Sequence, residues 1–348
     1  MRRTAVFKHE LFLEHQPGFG HIESPDRLVA IYEALSRSAI SQHLVFPEFG
    51  PASEEVLALN HTPAHVARVK ATAGKPFEVL DPDTHTSPRS YEAACLAVGA
   101  VVNAVEMVVK GEADNAFALV RPPGHHAEAD HTSGFCLFNN VAVAAHYALK
   151  RLGLQRILVV DWDIHHGNGT QHAFYDTQAV LYFSSHQYPY FPGSGGLAET
   201  GSGPGEGYTI NVPLQGGQDD FAYARIFNEL LVPMARQYRP ECIVISVGYD
   251  IYAGDPLGTM AVSPAGFAYL TRVMVELADE LCQGRLVLAL EGGYSFKGLA
   301  GGVLASLAEL LGESELTADQ LASFRKASGP LMALEQAKAV AKKYWTIA

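Results

Sequence analysis

The stretch ILVVDWDIHHGNGT, residues 157–170, joins a short apolar run to a cluster of ionisable side chains. The run 157–160 has the length and composition of a buried β-strand. Directly after it, two aspartates and two histidines fall within six positions. A buried charge is unfavourable unless it is paired, so these side chains require partners from elsewhere in the chain.

Similar apolar runs recur along the chain, separated by stretches with helical periodicity. They predict strands at 117–120, 157–160, 180–184, 208–212, 242–247 and 286–290. Short apolar strands that alternate with amphipathic helices predict an α/β fold with a mostly parallel β-sheet flanked by helices on both faces. Because no linker or repeat divides the chain, we expect a single domain over residues 1–348.

Serine followed by proline marks three predicted helix starts, since serine is a favoured N-cap and proline suits the first helical position. The pairs are Ser24-Pro25, Ser87-Pro88 and Ser263-Pro264, and each precedes apolar residues at helical spacing. We therefore expect one helix to begin at each pair.

The composition is that of a folded, acidic chain: 48% of its 348 residues are hydrophobic and its formal net charge is −12. This balance argues against non-specific binding to nucleic acid or to an anionic membrane. We expect neither a signal segment nor an apolar run long enough to span a membrane. The four cysteines lie far apart without a CxxC pair, which indicates neither a disulfide framework nor a thiolate zinc site and favours a cytoplasmic location.

Polar residues follow four of the predicted strands, and ligands of open parallel sheets bind beyond the carboxyl ends of the strands. The segments are RPPGHH after 120, DWDIHH after 160, GYDIYAGDPLG after 247 and EGGYS after 290. They supply His125, His126, Asp161, Asp163, His165, His166, Asp250, Glu291 and Tyr294. We expect these side chains to form one ionisable cluster.

A metal ion is the simplest partner for this cluster. If residues 161–165 continue as extended chain, Asp161, Asp163 and His165 point to one side, and carboxylates so close need a cation or a proton. Asp163 and His165 together with Asp250 would leave an open position for water, as catalytic zinc sites do. The same donors also suit iron, manganese or cobalt.

Each of these features also has a purely structural interpretation. A single aspartate after a strand is usually an N-cap or turn residue, and a histidine pair is more often on the surface or in the core. Their combination at three strand ends favours a functional site. His61, His65 and His85 lack such neighbours, and we interpret them as structural.

The chain resembles the zinc-dependent histone deacetylases and the acetylpolyamine amidohydrolases, which share the arginase/deacetylase fold. The matching segments are HIESPDRL (21–28), RPPGHH (121–126), SGFCLFNNVAVAA (133–145), DWDIHHGNGTQ (161–171), FPGSG (191–195), GYDIYAGDPLG (248–258) and LEGGYS (290–295). They come in the order of the family and span most of the chain. The resemblance is to a bacterial member similar to class II.

The resemblance implies one zinc ion per chain, held by Asp163, His165 and Asp250, with Fe²⁺ or Co²⁺ as possible substitutes. It implies that His126 is the general base for a metal-activated water and that His125 is its electrostatic partner. A neutral imidazole near pH 7 suits this proton transfer.

Three further residues receive supporting roles from the resemblance. Asp161 lies behind His125, and Asn168 backs His126 at a place where the family has Asp or Asn. An amide stabilises imidazolium less than a carboxylate does, so His126 should stay neutral more readily. Tyr294 corresponds to the tyrosine that donates a hydrogen bond to the substrate carbonyl and then to the oxyanion.

The resemblance also implies a substrate channel and two sites for a structural K⁺ or Na⁺ ion. The channel residues are Gly134, Phe135 and Phe191, and two facing rings there would hold an acyl-lysine side chain. The implied inner cation site comprises Asp161, Asp163, His165, Ser184 and Ser185, and the outer site comprises Phe174, Thr177, Val180 and Tyr208.

The expected reaction is removal of acetyl or other acyl groups from the ε-amine of lysine in proteins or peptides. The alternative is hydrolysis of small acetylated polyamines, for which some relatives carry Glu after the Asp-Pro that follows the zinc aspartate. Here that position is Leu257, which favours acyl-lysine. Asp81, Asp83 and Glu92 lie near a loop that could still supply a carboxylate for a cationic substrate.

Two other functions fit the sequence less well. A binuclear manganese ureohydrolase needs further carboxylates, but Gly167 and Tyr252 stand where they would be. A non-catalytic module that binds acyl-lysine would not require both His126 and Tyr294. The expected partners are an acylated lysine side chain or an acetylated polyamine, with no nucleic acid and no membrane, and a homo-oligomer is possible.

Overall fold

The computed structural model describes residues 1–347 and contains one seven-stranded sheet and a separate two-stranded ribbon. In chain order the strands are β1 (Thr4–Phe7), β2 (Glu78–Asp81), β3 (Thr84–Thr86), β4 (Asn115–Ala118), β5 (Ile157–Asp161), β6 (Val180–Gln187), β7 (Thr209–Leu214), β8 (Cys242–Val247) and β9 (Leu286–Leu290). The sheet has the order β1-β4-β9-β8-β5-β6-β7, and every pair in it is parallel. The antiparallel ribbon consists of β2 and β3.

Helices cover both faces of the sheet. They are α1 (Asp26–Arg37), α2 (Glu54–Leu57), α3 (Pro63–Lys70), α4 (Ser90–Val109), α5 (Asn140–Arg151), α6 (Asn168–Ala173), α7 (Asp220–Ile226), α8 (Val232–Tyr238), α9 (Pro264–Cys282), α10 (Phe296–Leu311), α11 (Ala318–Arg325) and α12 (Met332–Ala341). A π-helical turn at Phe227–Leu231 joins α7 to α8. One layer contains α4 and α5, which pack together against β4, β9 and β8, and the other contains α9 and α10. The predicted α/β class is therefore confirmed.

All six predicted strands lie in the sheet, with differences at their ends. β4 ends at Ala118 rather than at 120, and β6 runs on to Gln187. The sequence analysis missed β1, which has only four residues, and it also missed the ribbon. Both are too short to produce a clear periodic signal.

Of the three predicted helix starts, Ser263-Pro264 is confirmed in detail, since the Ser263 side chain accepts a hydrogen bond from the Gly266 amide. At Ser24-Pro25, α1 begins directly after the proline, although no side chain caps it. The prediction at Ser87-Pro88 is wrong, because α4 begins only at Ser90. Ser87 Oγ is occupied elsewhere, since it accepts from the Gln16 amide and donates to the Glu14 carbonyl.

By length and composition, α4 could cross a membrane, contrary to the expectation that no such stretch exists. Its most apolar window has a mean hydropathy of 1.8, but 72% of that window is buried inside this fold. The helix packs against α5 and the sheet, so a place in the core accounts for its apolar composition.

The order of the strands determines where functional side chains meet. β9 is the last strand in the chain, yet it lies between β4 and β8. The carboxyl ends of β4, β9, β8 and β5 are therefore neighbours, and the segments that follow them converge at one edge of the sheet. The chain leaves β4 and enters β5 with β9 and β8 lying between these two strands, which is the kind of switch point where open α/β sheets bind ligands.

A buried ionic cluster of Glu23, Arg27 and Arg121 lies near this edge of the sheet. Glu23 lies between Arg27 and Arg121, and all three side chains are fully buried. Arg121 Nη2 donates to Glu23 Oε2 at 2.9 Å, and Arg27 Nη1 donates to Glu23 Oε1 at 2.9 Å. Burial alone raises the pKa of Glu23, but the two guanidinium groups outweigh it and hold that pKa well below its usual range.

Replacing Glu23 should destabilise the fold strongly. The Glu23→Gln variant leaves two buried guanidinium groups without a countercharge, and we expect the free energy of unfolding to fall by about 3 kcal/mol or more. Urea denaturation followed by circular dichroism measures the change. The matched control is Glu33→Gln, which removes the exposed Glu33–Arg37 pair of α1 and should cost no more than about 0.5 kcal/mol. Equal losses in the two variants would contradict the structural role of the cluster.

Candidate active site

Three predicted metal ligands meet at the carboxyl ends of β5 and β8. Asp163, His165 and Asp250 are buried, and one donor atom of each lies within 4.8 Å of those of the other two. His165 Nδ1 is 3.0 Å from Asp163 Oδ1 and 3.4 Å from Asp250 Oδ2. Within residues 1–347 this is the only such cluster of three or more donors.

The carboxylates are oriented by the main chain in a way that suits a cation. Ile164 N donates to Asp250 Oδ1 at 2.9 Å, and Gly292 N donates to Asp163 Oδ2 at 2.8 Å. Within the described residues, Asp250 Oδ2 is buried and has no hydrogen-bond partner. Burial and the neighbouring charge of Asp163 raise the pKa of Asp250 to about 7, so two ionised carboxylates here require a positive partner.

Position 292 must be a glycine, because the carboxylates of Asp163 and Asp250 lie close to its main chain. A Cβ atom there would lie 2.1 Å from Asp250 Oδ2 and 2.5 Å from Asp163 Oδ2. The donor set of one imidazole and two carboxylates fits a catalytic zinc ion, and its chemistry also fits Fe²⁺ or Co²⁺.

The structure brings the two adjacent histidines into different surroundings. His125 Nδ1 is 3.0 Å from Asp161 Oδ2, an oxygen that also accepts from the Tyr182 hydroxyl at 3.1 Å. Burial alone lowers the pKa of His125, but the charges of Asp161 and Asp163 outweigh it and raise that pKa to about 10.

By contrast, His126 has an amide as its partner. Its Nδ1 lies 2.7 Å from Asn168 Oδ1, and its ring centroid is 4.0 Å from that of His125. Burial, and then repulsion from His125, hold the pKa of His126 well below its usual value. Both causes favour the neutral imidazole, whereas the hydrogen bond to Asn168 raises the pKa of His126 and so opposes them. The role of His126 as a neutral general base tuned by Asn168 stays a prediction.

Tyr294 faces the same cavity from the end of β9. Burial raises the pKa of its phenol well above the usual value, so the hydroxyl keeps its proton. The Arg27 guanidinium lies 4.9 Å from the centroid of the Tyr294 ring. Asp255 Oδ2 accepts from the Tyr294 amide at 2.7 Å and from the Ser295 amide at 2.8 Å. The sequence analysis had not identified Asp255 as the residue that anchors this turn.

The cavity has a volume of about 220 Å³. It is lined by Asp83, Pro123, His125, His126, Gly134, Phe135, His165, Tyr190, Phe191, Leu257, Gly292 and Tyr294. The lining includes the three predicted channel residues Gly134, Phe135 and Phe191 and also Leu257, the position predicted to influence the choice of substrate. Phe191 meets the His126 ring edge-on at 5.0 Å between centroids, and Phe135 meets Tyr294 edge-on at 6.3 Å. At Gly134, where φ is +53°, a Cβ atom would lie 2.3 Å from His126 Cδ2.

Two further residues line the cavity: Tyr190, which the sequence patterns did not indicate, and Asp83, one of the three carboxylates named as candidates for a cationic substrate. Tyr190 stacks on His165 with ring centroids 5.5 Å apart, and its hydroxyl donates to the Leu257 carbonyl at 2.8 Å. Asp83 lies beside the ribbon and accepts from the Gly134 amide at 3.1 Å. Glu92 is not among the lining residues of this cavity. A tyrosine that stands alone in a loop, such as Tyr190, gives no sequence signal that its side chain will line a cavity.

The residues of the predicted inner cation site lie close to the metal cluster. Ser184 Oγ is 2.8 Å from His186 Nδ1, and Ser185 Oγ is buried without a hydrogen-bond partner among residues 1–347. The outer set lies around the loop before β6: the Thr177 amide donates to the Phe174 carbonyl at 3.4 Å, and the Tyr208 carbonyl accepts from the Tyr182 amide at 2.9 Å. Val180 is the first residue of β6. Both cation sites stay predictions.

His166 and two other histidines have structural contacts. His166 Nδ1 is 2.8 Å from Ser194 Oγ. His61 Nδ1 is 2.9 Å from the Glu128 carbonyl, and His65 Nε2 is 2.8 Å from the Leu137 carbonyl. These side chains support loops around the site and do not line the cavity.

The sequence and the fold have known relatives. The family described as "Histone deacetylase domain" matches residues 21–310. Histone deacetylase 5 of Arabidopsis thaliana is 41% identical over 333 residues, which cover 90% of this chain and 50% of that protein. Polyamine deacetylase HDAC10 of Mus musculus is 38% identical over 338 residues, which cover 93% of this chain and 50% of that protein. This chain thus spans about half the length of these two relatives, whereas others match over more than nine-tenths of both chains.

A solved structure extends the likeness to the fold. The crystal structure of the HDA15 HD domain superposes with a TM-score of 0.91 at 35% identity, and the match covers 99% of this chain and 95% of that one. The family match covers most of the chain, and the relatives are named as deacetylases. The chain therefore belongs to the histone deacetylase family, which consists in general of zinc-dependent deacetylases.

Proposed function

We propose that this chain removes acetyl groups from the ε-amine of lysine in proteins or peptides by zinc-assisted attack of water. The observation that carries the proposal is the meeting of three functions in one narrow cavity. The cluster of Asp163, His165 and Asp250 could hold the ion, neutral His126 could take a proton, and the Tyr294 hydroxyl could donate one hydrogen bond.

In this proposal Asp163, His165 and Asp250 hold zinc, and the unpartnered oxygen of Asp250 supports such a place. A bound zinc ion would act as a Lewis acid that polarises the amide carbonyl and lowers the pKa of the attacking water. The Tyr294 phenol donates a hydrogen bond to the carbonyl oxygen as negative charge develops there. With Nδ1 of His126 engaged by Asn168, Nε2 takes the proton of the water and then passes it to the leaving amine.

The shape of the cavity favours a long, unbranched acyl-amine chain. Phe135 and Phe191 present ring surfaces that would bury methylene groups and exclude water from the reacting amide. Leu257 gives the lining an apolar residue at the position where some polyamine-selective relatives carry Glu, and this favours acyl-lysine.

Asp83 is the observation that favours acetylated polyamines as a second candidate. Its side chain lines the cavity and could attract an ammonium group, and the net charge of −12 acts in the same direction. A relative named as a polyamine deacetylase also supports this alternative. The apolar residues of the lining, Phe135, Phe191 and Leu257, lead us to place acyl-lysine first.

A structural monovalent cation is a further part of the proposal. K⁺ or Na⁺ at the inner site would use carbonyl oxygens near Asp161 and Asp163 together with Ser185. Support comes from the buried Ser185 hydroxyl, which lacks a hydrogen-bond partner among residues 1–347. Such an ion would offset part of the negative charge concentrated at this edge of the sheet.

Replacing Asp250 should abolish metal binding without unfolding the chain. The Asp250→Asn variant keeps an oxygen for the Ile164 amide but loses the charge, and we expect the zinc affinity to fall by at least about a hundredfold. Competition with a chromophoric chelator measures it. The control is Asp319→Asn, at an exposed position in the first turn of α11. Wild-type zinc affinity in the Asp250 variant would contradict the ligand assignment.

Removing the Tyr294 hydroxyl should lower kcat strongly while leaving KM nearly unchanged. In Tyr294→Phe the ring and its contact with Arg27 remain, but the donor to the oxyanion is lost, so kcat should fall by about 10²-fold or more. KM should change by less than about threefold, because ground-state binding depends on the channel. Steady-state kinetics on an acetyl-lysine peptide tests this, with exposed Tyr188→Phe as the control. Full activity in Tyr294→Phe would refute the proposed role.

The substrate can be decided by one rate comparison. We expect zinc-loaded protein to hydrolyse an acetyl-lysine peptide with a kcat/KM at least about tenfold above those for acetylputrescine and acetylspermidine, a preference of about 1.4 kcal/mol. Asp83→Asn should lower the rate on the polyamines more than the rate on the peptide. A tenfold preference for either polyamine would reverse the order of the two candidates.

A further inference from the structure

We propose that Glu128 is a positioning residue that fixes the orientation of the Asn168 amide and, through it, the tautomer of His126. The catalytic consequence of this inference rests on the proposed function, but the tautomer itself does not. Glu128 follows the histidine pair by two positions, and its backbone carbonyl also accepts from His61.

The three side chains form a continuous hydrogen-bonded chain that leads away from the cavity. His126 Nδ1 lies 2.7 Å from Asn168 Oδ1, and Asn168 Nδ2 donates to Glu128 Oε1 at 2.6 Å. These hydrogen bonds connect the buried imidazole of His126 with the carboxylate of Glu128, whose side chain is only 12% exposed.

An amide taken alone does not determine which way it faces its neighbour. It has an acceptor at Oδ1 and a donor at Nδ2, and a neutral imidazole can either donate or accept at Nδ1. Two arrangements of His126 and Asn168 would therefore satisfy the same hydrogen bond. An aspartate at position 168 would remove this ambiguity, since a carboxylate only accepts.

Glu128 determines the orientation of the Asn168 amide and thereby, indirectly, the tautomer of His126. An ionised carboxylate has no proton to donate, so it must face the NH₂ group of Asn168. The oxygen of Asn168 is then turned toward His126, and His126 Nδ1 must carry the hydrogen. Nε2 consequently presents its lone pair toward the cavity, which is the form that a general base requires.

One further contact holds the Glu128 side chain in place, and another, made by Asn168, limits the effect of losing Glu128. His172 lies in α6 and its side chain is half-exposed. Its Nδ1 atom is 2.8 Å from Glu128 Oε1 and can donate a hydrogen bond to it. The backbone carbonyl of His126 also accepts from Asn168 Nδ2, but at the longer distance of 3.4 Å. Because this carbonyl favours the same amide orientation, loss of Glu128 should leave a minor fraction of the Nδ1–H form rather than remove that form entirely.

The test compares Glu128→Gln with the wild-type protein. A glutamine can donate as well as accept, so we expect ¹⁵N NMR of the histidine side chains to show His126 as a mixture of tautomers instead of the Nδ1–H form alone. On an acetyl-lysine peptide kcat should fall by about tenfold, which is about 1.4 kcal/mol, with KM within about twofold. Glu128→Ala, which removes the acceptor without adding a donor, should give the same mixture if Gln disturbs folding.

The Asn168→Asp background provides the sharpest control. There the carboxylate at position 168 holds the proton on Nδ1 by itself, and Glu128→Gln replaces a second carboxylate that would face it across the present 2.6 Å contact by a group that can donate. Glu128→Gln should therefore cost no further activity in this background and leave a single tautomer. Glu206→Gln, at an exposed carboxylate that contacts Tyr344, serves as a control for the general effect of removing charge. It should leave both the NMR spectrum of His126 and kcat unchanged.

The inference and the proposed function can fail separately. If Glu128→Gln and Glu128→Ala retain a single Nδ1–H tautomer of His126, the inference is overturned whatever the rates are. An equal loss of activity from Glu128→Gln in the Asn168 and the Asn168→Asp backgrounds would also overturn it. If the wild-type protein hydrolyses none of the amides, the proposed function fails while the tautomer measurement still tests Glu128.

Discussion

Two buried carboxylates at the end of a parallel sheet impose the main constraint on this structure. Asp163 and Asp250 are buried side by side, and one oxygen of Asp250 has no hydrogen-bond partner among residues 1–347, so their charges require a cation. Main-chain amides of Ile164 and Gly292 fix the remaining oxygens, and the glycine at 292 permits the contact. These main-chain contacts orient both carboxylates, which is the kind of preorganisation that catalysis by a metal requires.

Much of this site could be predicted because its residues directly follow apolar runs. A buried strand fixes which positions leave the sheet at its carboxyl end, so Asp163, His165 and Asp250 could be grouped from local patterns. The place of β9 between β4 and β8 is a tertiary result, and no short segment encodes it. Asp83 and Tyr190 reach the cavity from segments whose own patterns are those of ordinary loops. For Ser87 the prediction failed because distant backbone groups compete for its hydroxyl.

The histidine pair illustrates how a sequence determines chemistry through the partners of a side chain. His125 and His126 are neighbours in the chain, yet one faces a carboxylate and the other an amide. The sequence identifies Asn168 as that amide, but it does not say which of its two ends faces the ring. That detail depends on Glu128 and thus on a contact between a loop and the first residue of α6, which is known only once the fold is known.

The central place of β9 also has a consequence for how the protein is made. Synthesis delivers the segments around 125 and 165 long before residues 286–294, yet the latter supply Gly292 and Tyr294 to the same cavity. Until β9 enters, β4 and β8 have no common neighbour and the sheet remains two separate parts. A chain still emerging from the ribosome thus carries the ligands without a completed site for them. An ion held as proposed would be bound tightly only after the long-range pairing of β9 with β4 and β8 is complete, and such pairing is a slow part of folding.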